Sequence, residues 1–213
     1  MVRKISEKVS EQELKEDLEK YRRHAIELGA SDAKIIASDG VIIDERVRAK
    51  CIYPKCEYFG TNINCPPHAM DVDMVRKVVG NFSYAIFFKV EVPSDTVAGA
   101  GVKDSKRTNP WRRRLAEIVA KIESEAFYDG HYLAVGFAGG TCKMLYCPNI
   151  DCIALTPGNS CRHALVARSS MEAVGMDAFA MAAKAGWEIY PIGETSSPSD
   201  VPHGLRLGIV LIR

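Results

Sequence analysis

Seven cysteines in two compact sets constrain this chain more than any other feature of its sequence. In CIYPKCEYFGTNINCPPHA (51–69), Cys51, Cys56 and Cys65 are separated by four and then eight residues. In CPNIDCIALTPGNSCRHAL (147–165), Cys147, Cys152 and Cys161 repeat that spacing, and Cys142 precedes them by another four-residue step. A histidine follows each set, His68 after Cys65 and His163 after Cys161. Cysteines buried merely as small apolar residues should follow the period of a helix or a strand, and these follow neither. Proline, glycine and asparagine between them mark backbone free to wrap, so the fold must support two cysteine loops, 51–68 and 142–163.

What such thiols do depends on compartment. The opening MVRKISEKVSEQELKEDLEKYRR is strongly charged and lacks the apolar core of a signal peptide. No run approaches the roughly 18 apolar residues of a membrane span. A cytoplasmic location is expected, where reducing conditions and an odd cysteine count argue against a disulfide framework. With 28 basic and 27 acidic residues, the net charge of +1 predicts neither a nucleic-acid nor a membrane partner. At 213 residues and 47% hydrophobic, the chain is long enough to bury a core, and a single domain over 1–213 is expected.

Apolar periodicity outlines the scaffold. Leu14, Leu18, Tyr21, Ala25 and Leu28 lie at helical spacing and predict a surface helix within 1–29, stopped by Gly29. AKIIA (33–37) reads as a strand, SDG as a turn, and VIIDERVRAKC as a second strand delivering Cys51 at its end. Pro66 and Pro67 lead toward a helix near 71–79. YAIFFKVEV (84–92), nearly unbroken in apolar character, predicts a central strand. Polar residues 93–109 read as a loop or lid. Asn109 as N-cap and Pro110 as first residue should then open a helix whose apolar face is Trp111, Leu115, Ile118, Ile122 and Ala126. HYLAVGFAGG (from 131) predicts a buried strand feeding the second cysteine loop. SSMEAVG and DAFAMAAKAGW read as a helix ending at Gly186, and WEIYPI and LRLGIVLIR as closing strands. The interleaving predicts an α/β fold: a mixed β-sheet covered by helices, with two cysteine-rich cluster-binding loops at strand ends.

Four thiolates within twenty residues suit either zinc or a 4Fe–4S cluster. Zinc ribbons and fingers usually pair ligands two to four residues apart, with a longer gap between pairs. Steps of four, four and eight, with no C-x-x-C, favour a 4Fe–4S cluster on Cys142, Cys147, Cys152 and Cys161, with zinc as the alternative. Cys51, Cys56 and Cys65 point to a second metal centre. A 4Fe–4S cluster held by three cysteines leaves one iron open to a substrate or to a fourth donor. His68 is one candidate donor, although a solvated histidine is the simpler reading, and Cys142 could cross over. His163, beside Arg162, reads most simply as a hydrogen-bonding residue that steadies its loop.

CIYPKCEYFGTNINCPP and CRHALVARSSMEAVGMDAFAMAAKAGW resemble the signature blocks of a family of predicted metal-binding proteins of anaerobic archaea and bacteria, the domain of unknown function 2284 family. The resemblance covers most of residues 30–212. It implies metal or iron–sulfur binding through Cys51, Cys56, Cys65, Cys142, Cys147, Cys152 and Cys161, with no settled reaction. The wider steps of the second block depart from the tighter ferredoxin-like spacing of many relatives.

Three classes of function follow. The first is an iron–sulfur protein carrying electrons to or from a redox partner protein. The second is an enzyme whose three-cysteine cluster binds a small-molecule substrate at an open iron acting as a Lewis acid. The third is a zinc-stabilised structural or binding domain, which a chain with several buried strands does not need in order to fold. Arg112, Arg113 and Arg114, with Lys103, Lys106 and Arg107, read as a solvated face or a dock for an acidic or phosphorylated ligand. Met171, Met176 and Met181 read as core.

Overall fold

A computed structural model describes residues 2–6 and 9–213. Ser10 caps α1 (Glu11–Glu27) by accepting the Glu13 N–H, and Gly29, at φ 106°, makes the left-handed turn that ends it. β1 (Asp32–Ala37) follows. The expected second strand survives only as an isolated bridge between Ile43 and Met176. Asp44 then accepts the Arg46 N–H at 2.8 Å and caps α2 (Glu45–Ile52), so Cys51 lies in the last turn of a helix rather than at a strand end. An Asp–Glu pair suits a helix N-terminus, and this cap outweighs the alternation of Val47, Ala49 and Cys51 with Arg46, Arg48 and Lys50 that reads as a strand.

Asp71 caps α3 (Val72–Val79), and β2 (Tyr84–Val92) coincides with the strand expected there. α4 (Ser105–Tyr128) opens one turn before Pro110 because Asp104 accepts the Lys106 N–H at 2.9 Å. Pro110 sits in its second turn, where it forfeits one backbone bond without stopping the helix. β3 is shorter than expected (Val135–Phe137), and the second cysteine segment starts with a short helix, α5 (Cys142–Tyr146). Residues 172–174 form a 3₁₀ turn, and Gly175, at φ 87°, separates them from α6 (Ala178–Lys184). WEIYPI forms no strand. Trp187 folds back onto the Ala182 carbonyl, and Pro191 has no N–H for a ladder. β4 (Gly204–Leu211) closes the sheet.

The strand order is β1-β2-β4-β3, and each neighbouring pair is antiparallel. The α/β class is as expected, but the sheet is antiparallel rather than mixed. Among the described residues the parallel pairing is the isolated bridge Ala138–Ser170. The chain order explains the difference. β2, α4 and β3 make a single-helix crossover, which does leave β2 and β3 pointing the same way, but β4 inserts between them and runs against both.

Both faces of the sheet are covered. Ile86, Phe88, Val90 and Val92 of β2 pack with Leu18 and Tyr21 of α1 and Leu115, Ile118 and Ile122 of α4. Ala85 and Phe87 face the other core, with Val75 and Val79 of α3, Met171, Met176, Met181 and Trp187. A strand buried on both sides needs apolar residues at successive positions, hence the unbroken run. A Cβ on Gly208 would meet Phe88 Cζ at 2.9 Å and Val119 Cγ2 at 3.0 Å, so glycine there lets α4 lie close on β4. Among the described residues no helix is long and apolar enough to cross a membrane.

Candidate metal centre

The first cysteine segment leaves α2 as a succession of turns, and several of the cysteines open one. The Cys51 carbonyl accepts the Cys56 N–H at 3.1 Å, that of Cys56 the Phe59 N–H at 3.0 Å, and that of Cys65 the N–H groups of His68 and Ala69 at 3.0 Å. In the second segment the Cys152 carbonyl accepts the Leu155 N–H at 3.0 Å, and Cys147 is the C-cap of α5. Arg48 of α2 fastens the first segment from below. Its guanidinium donates to the carbonyls of Ala69, Met70 and Ala173, joining α2, the exit of the segment and the turn before α6.

Polar side chains dock the two segments on each other. Asn62, 1% exposed, donates from Nδ2 to Thr141 Oγ1 at 3.3 Å, and Ser169 Oγ donates to Asn64 Oδ1 at 3.3 Å. Thr141 Oγ1 caps α5 through the Lys143 N–H at 3.2 Å and accepts the Cys65 thiol at 3.4 Å. Asn64 Nδ2 donates to Cys142 Sγ at 3.4 Å, while that thiol reaches Asn62 Oδ1 at 3.5 Å. Cys65 of one set and Cys142 of the other thus share one polar junction.

The thiols also act on one another. Burial pushes the Cys142 thiol up to about 11; the Asn64 bond opposes this, and Cys65, Cys161 and Cys152 add to it. The Cys51 thiol is raised by burial first, then by Cys56, Cys65 and Glu172, against the pull of Arg48. Two thiolates repel, and desolvation penalises each, so without a bound cation these groups favour the protonated form. As placed, no three His, Cys, Asp or Glu side chains among the described residues stand close enough to grip one ion. The fold brings members of both sets into one region without closing them around a centre.

The histidines divide. His68 is exposed, and its N–H closes a turn on Cys65. His163 stacks on Tyr146, with ring centroids 5.2 Å apart, and its N–H donates to Cys161 Sγ at 3.4 Å. Arg113 and Arg114 are exposed, as a solvated face requires, and from the surface Arg113 lies 5.7 Å from the Tyr146 ring centroid and donates to the Leu145 carbonyl at 3.4 Å, bracing α5. Arg107 pairs with Asp95, and Lys103 with Glu194 at 2.6 Å.

Thr141, Asn62, Asn64 and Arg48 are site residues that spacing did not single out. The signal available was two asparagines crowded against Cys65 and a threonine directly before Cys142. Thiols suit a thiophilic metal, and the amide donors on the Cys142 and Cys161 sulfurs are of the kind that orients a metal-bound sulfur. No curated protein and no solved structure matches the chain. A family model described as a predicted metal-binding protein does match, over residues 34–212, and the chain belongs to that family, domain of unknown function 2284.

Proposed function

We propose that the chain is an iron–sulfur protein of the 4Fe–4S type with two metal centres, built from Cys51, Cys56 and Cys65 and from Cys142, Cys147, Cys152 and Cys161, that carries electrons to or from a cytoplasmic redox partner. The observation that carries this reading is the junction at Thr141, whose hydroxyl meets Cys65 and also accepts from Asn62, which with Asn64 meets Cys142. Side-by-side thiol sets suit two centres that exchange electrons, and a structural metal would need only one. Bound 4Fe–4S clusters supply one-electron redox chemistry, at a potential set by charge, exposure and hydrogen bonds to sulfur. The chain's part would be to donate to the metal-bound sulfurs, and Asn64 Nδ2 on Cys142 and the His163 backbone N–H on Cys161 support that reading. Cys142, bonded to both Asn64 and Asn62 of the first segment, links the two sets in this reading.

Anaerobic purification tests the proposal. Brown protein, with broad absorbance near 400 nm, about four to eight irons per chain and a paramagnetic signal on reduction, is the expected result. Colourless protein with stoichiometric zinc would overturn it.

One observation favours a second reading, an enzyme in which the first centre binds substrate. A cavity of about 580 Å³ is lined by Cys51, Cys56 and Glu172, so the three-cysteine set borders open space. Paramagnetic spectra that shift when small ligands are added would support that reading; spectra that do not move would remove it.

A further inference from the structure

A second cavity, of about 240 Å³, lies between α4, β4 and the stretch around Tyr190. Arg112, Arg206, Glu172, His203, Tyr190 and Gly140 line it. Arg206 belongs to β4, and its buried Nε has no hydrogen-bond partner among the described residues. Burial pushes its pKa down to about 10; Arg112 adds to this, and Glu172 opposes it. Burial also lowers that of Arg112, whose Nη1 rests on two neutral acceptors, Thr108 Oγ1 at 2.6 Å and Asn109 Oδ1 at 3.2 Å. Two guanidiniums thus lose water while facing one cavity and each other. Glu172 is the only carboxyl among the described residues of the lining, and it answers this charge poorly: burial favours its neutral form, and its Oε2 also lacks a partner there. Burying cationic groups without a counter-charge is unfavourable, and the missing partners are those an anion supplies. Guanidinium is also the side chain best matched to the paired oxygens of carboxylate and phosphate.

We propose that Arg112 and Arg206 bind a small organic anion, with a carboxylate or phosphate head, in this cavity. The volume falls below the roughly 300–1,000 Å³ of pockets for drug-sized ligands, which suits a molecule of few heavy atoms. The site adjoins the cysteine segments at two points. Glu172 also walls the cavity of Cys51 and Cys56, and Gly140 directly precedes Thr141. Anion binding does not depend on which metal the cysteines hold.

Calorimetric titration of the anaerobically purified full chain tests this, using sodium phosphate in one arm and sodium acetate in the other, against sodium chloride at matched ionic strength. Saturable binding of either anion above the chloride control is expected, and the arm that binds identifies the head group. Arg206→Gln and Arg112→Gln should each weaken it by about tenfold or more. Circular dichroism and metal content should stay as in the unaltered chain. Metal content is read separately, so a failed metal assignment and a failed anion site give different results. No saturable binding in either arm, or undiminished binding in folded Arg112→Gln, would overturn the proposal. Arg112 is on a helix surface and only half-buried, so this variant decides the matter should Arg206→Gln not fold.

Discussion

Thr141→Val isolates the junction between the cysteine segments, because valine keeps the shape of threonine and removes only its hydroxyl. Two of the hydrogen bonds that this hydroxyl makes carry most of the cost. Without it the Lys143 N–H at the start of α5 has no cap, where it now has one at 3.2 Å worth about 1 kcal/mol. Asn62 Nδ2, in a side chain 1% exposed, loses one of two acceptors and keeps only Thr61 Oγ1 at 3.3 Å, a further cost of about 1 kcal/mol. The weak bond from the Cys65 thiol adds little. The sum, about 2 kcal/mol, corresponds to a fall in Tm of about 4–8 °C for a chain of this length. The assay is thermal unfolding of metal-free, reduced protein, since a bound metal would add folding free energy of its own. Thr141→Ser retains the oxygen and should cost less than about 1 kcal/mol, the transfer free energy of one methyl group. If Thr141→Val melts within a degree of the unaltered protein, or Thr141→Ser falls as far as Thr141→Val, the hydroxyl does not hold the segments together.

Asp17 accepts from Arg3 Nη2 and pairs with His131 Nε2, both at 3.0 Å, and these bonds lower its pKa despite opposing desolvation. Its ionised form therefore stabilises the fold above the ordinary value of 3.8, and that contribution is lost as pH falls through the lower folded value. Asp17→Asn should cost about 3 kcal/mol in urea unfolding at pH 7 and progressively less at pH 3 and below; an equal cost throughout would contradict the ionic account. At Gly136 a Cβ would lie 2.5 Å from Val119 Cγ1 and 2.6 Å from Glu123 Oε2, so Gly136→Ala should lose about 1–3 kcal/mol by the same measurement, and no loss would mean that α4 does not approach β3 this closely. Under the proposed assignment Cys142→Ser should lower bound metal per chain more than Cys147→Ser does, because Cys142 also bonds Asn62 and Asn64 of the first segment; equal losses would dissociate Cys142 from the first set.

The elements legible in the sequence are those whose apolar period is long. The stripes of α1 and α4 and the continuous run of β2 each identify an element by the surface it buries. Failures cluster where one polar residue outweighs a pattern. Asp44 turns an apparent strand into α2, and Asp104 opens α4 a turn before Pro110. A cap acts through one hydrogen bond and leaves no period to detect. Strand direction was illegible for another reason: alternating helices and strands suggest parallel neighbours, and only the insertion of β4 between β2 and β3 makes every pair antiparallel. At the site, the spacing of the cysteines was visible but the contact between their two segments was not, because Asn62, Asn64 and Thr141 meet only through the tertiary fold.

That same insertion explains why thiols and arginines come to be neighbours. With β4 between β2 and β3, the end of β3 passes directly beside β4 and beneath α4. The passage is narrow: a Cβ on Gly139 would meet Leu115 Cδ2 of α4 at 3.1 Å and the Leu207 carbonyl of β4 at 3.3 Å. Two residues beyond that gap the chain reaches Thr141 and the cysteine junction, while Arg206 stands one residue before Leu207 on the strand bordering it. Arg112, a turn above Leu115 on α4, overlooks the same gap. Gly139, which lets β3 escape between helix and strand, and Gly140 line the arginine cavity, and Gly140 leads directly into Thr141 at the start of the second cysteine segment. A pocket lined by two arginines next to the second cysteine segment is a direct product of this strand order.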